Sequence, residues 1–285
     1  MASIKRTEAA QISAAPKAAG AGARHRLPLA ALVPALFAIA YLVLPLVGLV
    51  VRVPWTTLTQ RLAAPEVLTA LWLSLQTATV ATFMCVALGV PLAWLLARGD
   101  FRGRRLVRAL VTVPMVLPPV VGGVALLLVF GRRGIVGNWL DSAFGITLPF
   151  STASVVMAQS FVALPFLVIA VEGALRGADA RYEEAASSLG ASRWTTFHRV
   201  TLPLISPGVA AGAVLSWARA LGEFGATITF AGNFPGRTQT MPVAVYLALE
   251  TDLDAAIVLS LILLIVAVAI LAGLRDQWLN SGTTT

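Results

Sequence analysis

Six long apolar segments, separated by short polar loops, constrain the fold of this chain more than any other feature. They run approximately over residues 29–50, 70–97, 106–130, 152–172, 203–230 and 254–274. A helix needs about 20 apolar residues to cross the hydrocarbon core of a bilayer, and these segments reach that length. The sequence therefore predicts an all-α, polytopic integral membrane protein with six transmembrane helices.

The composition excludes a soluble domain and argues against nucleic-acid binding. Hydrophobic residues make up 58% of the 285 residues and charged residues only 12%, about half the charged share of a soluble domain. The net charge of +8 comes from residues in short loops between apolar segments, not from one soluble basic face. We therefore expect membrane lipids, whose headgroups are partly anionic, as the partners of these charges, and no nucleic acid.

The distribution of Lys and Arg predicts how the helices are oriented, because cytoplasmic loops of membrane proteins are enriched in both residues. With the N-terminus placed inside, the cytoplasmic segments hold fifteen of them: Lys5, Arg6, Lys17, Arg24, Arg26, Arg98, Arg102, Arg104, Arg105, Arg108, Arg176, Arg181, Arg193, Arg199 and Arg275. The outer loops hold five: Arg52, Arg61, Arg132, Arg133 and Arg237. This bias predicts that both termini are cytoplasmic and that the number of spans is even.

The two ends of the chain are polar and are not expected to cross the membrane. Residues 1–26 are basic and rich in alanine, and we expect a disordered cytoplasmic tail there. Residues 276–285 are expected to form a short cytoplasmic C-terminal tail. Between them we assign residues 27–65 to the first transmembrane helix and an outer loop, and residues 66–275 to the main transmembrane domain.

Two regions predict departures from simple spanning helices. Three prolines, Pro114, Pro118 and Pro119, lie close together in the third predicted span and are followed by Gly122-Gly123. This proline cluster predicts a kink in the third span, because a proline within a helix leaves a backbone carbonyl unpaired. The segment 243–249 is apolar but too short to span, so we expect an outer-face helix or a re-entrant piece there.

The longest predicted inside loop contains a short acidic and alanine-rich segment. Glu183 and Glu184 stand where the first turn of a helix would lie, and negative charge there complements the helix dipole. Ala185 and Ala186 favour a helix and let a partner approach closely. Gly190 is expected to end the helix in a left-handed conformation. Leu202-Pro203 is expected to open the fifth span, since proline is favoured near a helix start.

This loop resembles the cytoplasmic coupling loop of ABC-importer permeases. The matching residues are Glu184-Ala185-Ala186, Gly190 after three more residues, then Val200 and Leu202-Pro203 after nine. The resemblance implies a type I ABC-importer permease fold over residues 66–275, in a bacterial cytoplasmic membrane. It also implies a homodimer, two cytoplasmic ATPase subunits and an extracytoplasmic solute-binding protein. In that family this loop is the surface on which the ATPase subunit docks, with Glu183 beside the motif.

The sequence predicts no chemistry within the chain itself. The phosphate-binding pattern G-x4-G-K-[S/T] is absent from the sequence, so ATP hydrolysis would belong to a separate subunit and the chain is not expected to be an enzyme. His25 and His198 have no zinc-ligand spacing, and Cys85 lies in an apolar segment where a packed thiol is expected. We therefore expect no cofactor and no metal.

The fifth span and the loop after it indicate the class of solute. Residues 222–230 read GEFGATITF, and N-x-P-G-x-T-x-T-x-P follows from Asn233 to Pro242. This segment is similar to the permease subunits of oxyanion importers and most resembles the molybdate branch. The resemblance implies molybdate as the solute and a molybdate-binding protein as the outer partner. Sulfate or thiosulfate and tungstate remain alternatives.

Four residues of this region are candidates for the translocation pathway. Arg219 and Glu223 stand four residues apart, so they can pair on one helix face within the membrane. Ionisable residues at that depth face the bundle interior or a water-filled path. Thr227 and Thr229 can offer hydroxyls to an oxyanion or to the backbone. The alternative is that Arg219 and Glu223 only satisfy each other and fix helix packing.

Two functions of other classes compete with the permease interpretation. A secondary anion transporter would need ion-coupling residues in the middle of the membrane, for which Arg219 and Glu223 are the candidates apart from Glu172 near a span end. A membrane-embedded enzyme would need a catalytic cluster, and the sequence has no paired His, Cys or Asp constellation.

Overall fold

The computed structural model of the protein describes residues 29–280, with side chains over residues 32–270. The predicted tail at residues 1–26 lies outside the described residues, and so do the last five residues of the chain. Within the described part the chain is helical, with no strand. The helices are α1 (Leu29–Val51), α2 (Leu58–Leu62), α3 (Pro65–Arg98), α4 (Arg104–Val116), α5 (Pro119–Phe130), α6 (Ile135–Phe144), α7 (Thr152–Gly177), α8 (Arg181–Ser188), α9 (Arg193–Thr196), a π turn (Phe197–Thr201), α10 (Leu202–Leu221), α11 (Gly225–Phe230), α12 (Met241–Thr251) and α13 (Leu253–Asn280).

Five helical stretches are long and apolar enough to cross a membrane, and the bent pair α4–α5 makes a sixth if it is counted as one span. The five are Leu32–Val51, Pro65–Arg98, Thr152–Gly177, Arg193–Leu221 and Leu253–Ile270. Each overlaps a segment that the sequence predicts to span. The last helix continues to Asn280, past the boundary expected at residue 275.

The third predicted span, residues 106–130, is not one helix. It breaks between Val116 and Pro119, and the helix axis bends by 116° from α4 to α5. Pro118 and Pro119 have no backbone N–H and disfavour helical geometry in the residue before them, so Leu117 is extended, with ψ of 133°. The prolines thus produce the kink that the sequence predicts. The bend is too large for α4 and α5 to form one continuous helix.

The fifth predicted span, residues 203–230, is also wrong as a single helix. Helix α10 ends at Leu221, and α11 begins at Gly225 after a break of three residues. At its other end the helix begins earlier than expected, because α9, the π turn and α10 form one continuous stretch from Arg193 to Leu221. Leu202-Pro203 therefore lies inside this stretch and does not open it.

Helix α7 is the centre of the bundle formed by residues 49–280. It packs against α3 on one side and α10 on another, and its contacts with α3 include the fully buried Cys85, whose Sγ lies 3.6 Å from the Ser160 carbonyl oxygen. Small residues such as Ala81 and Ala163 are fully buried where these helices meet, which lets the backbones approach closely. Cys85 is thus a packed thiol, as expected.

Charged side chains tie two of the shorter helices to this core. Arg108 of α4 pairs with Glu172 of α7, which also binds Arg176 one turn later at 2.7 Å. Near the other end of the helices, Arg61 of α2 pairs with Asp252 at 2.7 Å. Asp252 also accepts a hydrogen bond from the Ala255 N–H in the first turn of α13. The Arg61 guanidinium and this N–H hold the pKa of Asp252 below its ordinary value.

Helix α12 corresponds to the short apolar segment 243–249. It is a regular helix of 11 residues, too short to span a bilayer by itself. It packs along α13, and its first residue, Met241, donates its N–H to Ser74 Oγ of α3 at 2.7 Å. The sequence allowed either an outer-face helix or a re-entrant piece here, and the structure has a short packed helix.

The contact between α5 and α11 has no room for an additional methyl group at Gly123. A Cβ there would lie 2.8 Å from Thr229 Cβ and 2.9 Å from Ala226 backbone atoms. We expect Gly123→Ala to lower the free energy of unfolding in detergent by about 1–3 kcal/mol, the usual cost of overpacking. Gly173→Ala, where nothing lies within 4 Å, is the matched control and should not be destabilised. Equal stability of the two variants would contradict this close packing.

Candidate functional site

The segment between α7 and α10 has the local geometry that its sequence predicts. Helix α8 carries Glu183 and Glu184 in its first turn, and the chain leaves it through Gly190, whose φ of 83° lies in the left-handed region. The Gly190 N–H donates to the Ser187 carbonyl, which closes the last turn. We call residues 181–201, from α8 to the end of the π turn, the coupling segment.

One face of the coupling segment is apolar and exposed. Tyr182, Ala185 and Leu189 follow one another at helical spacing, and Leu189 is 89% exposed. Trp194, in α9, is 71% exposed. We call Tyr182, Ala185 and Leu189 the coupling face. Exposed large apolar side chains on a polar loop are typical of a surface that contacts another protein or a membrane.

Glu183 and Glu184 are adjacent in sequence, but their side chains lie in different environments. Glu184 is exposed, whereas the Glu183 side chain is only 21% exposed and points into the protein. There it pairs with Arg98, the last residue of α3, at 3.2 Å and accepts a hydrogen bond from the Thr201 hydroxyl at 3.0 Å. Arg98 and Thr201 are not predicted as members of this site, because the sequence presents Arg98 only as a charge at a span end.

The coupling segment continues into α10 through a π turn, a correction to the predicted helix start at Leu202-Pro203. Ser192 caps the new start by accepting a hydrogen bond from the Thr195 N–H at 3.1 Å. Pro203 has no N–H to donate to the preceding turn. A π turn just before it therefore breaks fewer α-helical hydrogen bonds than a π turn in the middle of a helix would. Leu202 is half-buried against the core, and Pro203 is exposed.

Arg219 and Glu223, the first two pathway candidates, form the predicted ion pair. The Arg219 Nη2 lies 2.7 Å from Glu223 Oε2, and the Glu223 side chain is 1% exposed. Its other oxygen accepts a hydrogen bond from the Ala226 N–H at 2.8 Å. Glu223 therefore joins the last turn of α10 to the first turn of α11 across the break, which is a structural role.

The two threonines occupy different positions beside this break. The Thr229 hydroxyl donates to the Gly225 carbonyl oxygen at 2.8 Å, so it is already satisfied within α11. Thr227 is fully buried, and its hydroxyl has no hydrogen-bond partner among the described residues. On α7, Gln159 is fully buried and its amide is equally without a partner there. Gln159 is not among the predicted site residues, although an amide in the middle of an apolar span is a signal of function or packing.

One family model matches most of the chain. It is described as the binding-protein-dependent transport system inner membrane component, and it matches residues 89–284, which include the coupling segment and the α10–α11 break. The chain belongs to this family. The permease is therefore a multi-pass inner-membrane component of a transport system, as the resemblance of its coupling loop predicts.

Individual relatives and a solved structure refine this assignment. The molybdenum transport system permease protein ModB of Mycobacterium bovis is 51% identical over 247 residues, covering 87% of this chain and 93% of that protein. The sulfate transport system permease protein CysT of Escherichia coli is 36% identical over 240 residues, covering 83% of this chain and 86% of that protein. The permease is thus more similar to the molybdenum relative, which confirms the resemblance predicted from residues 222–242.

The fold is confirmed by a solved structure. A bacterial ABC transporter involved in the import of the acidic polysaccharide alginate matches with a TM-score of 0.71, covering 90% of this chain and 96% of that chain. At 18% identity this likeness concerns the fold alone. It confirms the predicted all-α fold of a type I ABC-importer permease. The relatives are transport permeases, so they give no support to a secondary anion transporter or a membrane-embedded enzyme.

Proposed function

We propose that this chain is the membrane-spanning subunit of an ATP-driven importer of molybdate. Residues 66–275 form its transporting domain, and an extracytoplasmic molybdate-binding protein delivers the anion. The greater identity to the molybdenum relative than to the sulfate relative supports molybdate over sulfate or thiosulfate. Tungstate, an oxyanion of the same shape and charge, is the closest competitor.

The observation that carries this proposal is the exposed coupling face on a helix ended by a left-handed glycine. We assign Glu184, Ala185, Ala186 and Gly190 to docking of an ATPase subunit, with Glu183 supporting their helix from inside the protein and Leu202 and Pro203 leading into α10. The coupling segment also carries three exposed arginines, namely Arg181, Arg193 and Arg199. We therefore expect an apolar groove with an acidic rim on the ATPase.

The assembly follows from this docking surface. Each coupling segment binds one ATPase subunit, so a pair of ATPase subunits requires two copies of the permease. Both termini and the coupling segment lie on the cytoplasmic side, as the distribution of Lys and Arg supports. ATP-driven closure of the ATPases moves the two coupling segments and opens the pathway outward, and product release restores the inward-facing state.

The anion passes near the α10–α11 break in this proposal. Arg219 is 26% exposed on its side chain and supplies positive charge there, while Glu223 holds it in place. Thr227 and Thr229 lie in the adjacent short helix. A pathway of this kind needs to be polar without trapping the anion, and a half-neutralised arginine meets both requirements.

Uptake into vesicles tests the proposed function. Purified complex in lipid vesicles should accumulate labelled molybdate only with ATP and the binding protein present, and unlabelled tungstate should compete better than sulfate. Uptake driven by an ion gradient without ATP would indicate a secondary transporter. Faster uptake of sulfate than of molybdate would contradict the assigned solute.

Leu189→Arg tests the docking surface directly. Because Leu189 is 89% exposed, its replacement should change the free energy of unfolding by no more than about 0.5 kcal/mol. A charge in an apolar groove of the partner should nevertheless prevent co-purification of the ATPase subunits. Ile135→Arg, at an equally exposed apolar residue of α6, is the matched control and should retain them. Retention by both variants would contradict the docking role.

A further inference from the structure

The coupling segment is covalently joined to only two of the long helices. It follows α7 through Ala178–Ala180 and continues into α10 through the π turn. Helix α3 packs along α7 and α10 but enters the segment by no chain connection. Any force that the segment exerts on α3 must therefore pass through side chains.

Glu183 provides such a connection. The Arg98 Nε, at the end of α3, lies 3.3 Å from one oxygen of the Glu183 carboxylate and 3.2 Å from the other. The Thr201 hydroxyl, in the π turn, donates to the same carboxylate at 3.0 Å. Arg98 Nη2 also lies 3.5 Å from the Ala178 carbonyl oxygen at the entry to the segment. One carboxylate thus joins α3, α8 and the root of α10.

This group is more constrained than an ordinary surface ion pair. The side chains of Arg98 and Glu183 are 24% and 21% exposed, and Thr201 is 1% exposed. An ion pair with two added hydrogen bonds has a defined geometry, whereas an isolated exposed pair is mobile and contributes little. Its members are 85 and 18 residues apart in sequence, so the group forms only when the three elements are assembled.

A cleft lined by both charged and apolar side chains borders the group on one side. Its volume is about 480 Å³, and its lining includes Trp94, Arg98, Asp100, Glu183 and Arg193. The ion pair can therefore gain or lose water without opening the apolar core formed by α3, α7 and α10. A connection with such access can transmit a displacement and re-form after each cycle.

We propose that Arg98 and Thr201 are positioning residues that lock Glu183, and with it the coupling segment, to α3. A displacement of α8 by the ATPase then moves α3 together with α7 and α10. This inference rests on the proposed function, because it assumes that an ATPase docks on the coupling face. None of the three residues contacts the solute or the nucleotide in this scheme.

The test is the number of molybdate ions taken up per ATP hydrolysed, measured with the full complex in vesicles. Arg98→Gln and Glu183→Ala should each lower this ratio by about fivefold, the lower end of the range for a coupling interaction. Thr201→Val, which is nearly isosteric and keeps the fold, should lower it less. The exchanged pair Arg98→Glu with Glu183→Arg should recover part of the loss, which a purely local packing defect would not.

Arg61→Gln is the matched control, because Arg61 forms a comparable arginine–carboxylate pair at the other end of the helices, with its side chain 28% exposed. It should leave the ratio unchanged. A wild-type ratio in both Arg98→Gln and Thr201→Val would overturn the inference, and so would loss of the ATPase subunits from these variants, since the group acts after docking. Absence of ATP-dependent uptake in the wild-type complex would instead refute the proposed function.

Discussion

Replacing Gly190 with valine is expected to uncouple ATP hydrolysis from molybdate uptake while leaving the protein inserted in the membrane. Gly190 has a φ of 83°, a conformation that costs an L-residue about 1–2 kcal/mol and a β-branched residue more. A Cβ at this position would meet nothing within 4 Å, so backbone conformation alone opposes the substitution. The chain should relax by changing its direction after α8, which displaces Leu189 from the coupling face.

Two further variants separate conformation from size. Gly190→Asn should retain most coupling, because asparagine tolerates the left-handed region better than other non-glycine residues. Gly177→Val is the matched control, since Gly177 also has open space around it but no positive φ. The measurement is ATP hydrolysis and uptake in the same vesicles. Normal coupled transport by Gly190→Val would refute the role of this turn in docking.

Removing the Glu223 carboxylate is expected to destabilise the permease by about 3 kcal/mol, the lower end of the range for breaking a buried ion pair. The side chain of Glu223 is 1% exposed, and its loss leaves Arg219 without its partner and the Ala226 N–H without its acceptor. We therefore expect Glu223→Ala to lower the midpoint of thermal unfolding in detergent and to abolish uptake.

Other substitutions distinguish the two interactions of the Glu223 carboxylate, which are its ion pair with Arg219 and its hydrogen bond from the Ala226 N–H. Glu223→Gln retains an acceptor for the Ala226 N–H and should be less destabilised than Glu223→Ala. Charge reversal at Arg219 should be partly rescued by reversal at Glu223, but not fully, because an arginine at position 223 has no acceptor for that N–H. A double variant no more stable than either single variant would show that the 2.7 Å contact contributes nothing to stability.

The local features of this fold could be predicted from the sequence, because short-range rules decide them. The apolar lengths predicted the spanning helices, and Gly190 was expected in the left-handed conformation that it adopts. The spacing of Arg219 and Glu223 predicted their ion pair. Each of these depends on residues no more than one helical turn apart or on a continuous apolar segment.

The features that could not be predicted depend on how segments meet. Hydropathy does not distinguish a continuous span from α4 and α5 joined by a sharp bend, because both are equally apolar. The break after Leu221 becomes intelligible only when Glu223 is seen to cap α11 through the Ala226 N–H. The pairing of Arg98 with Glu183 joins residues 85 positions apart, beyond any local pattern.

The helical stretch from Arg193 to Leu221 is continuous, so under the proposed function it would serve as a lever arm. Its 29 residues correspond to a length of about 44 Å at 1.5 Å per residue. A tilt of about 5° at the end near Trp194 therefore shifts the opposite end by about 4 Å over that length. Under the proposed function, small movements of a docked ATPase subunit are thus magnified at Arg219, near the opposite end of the stretch.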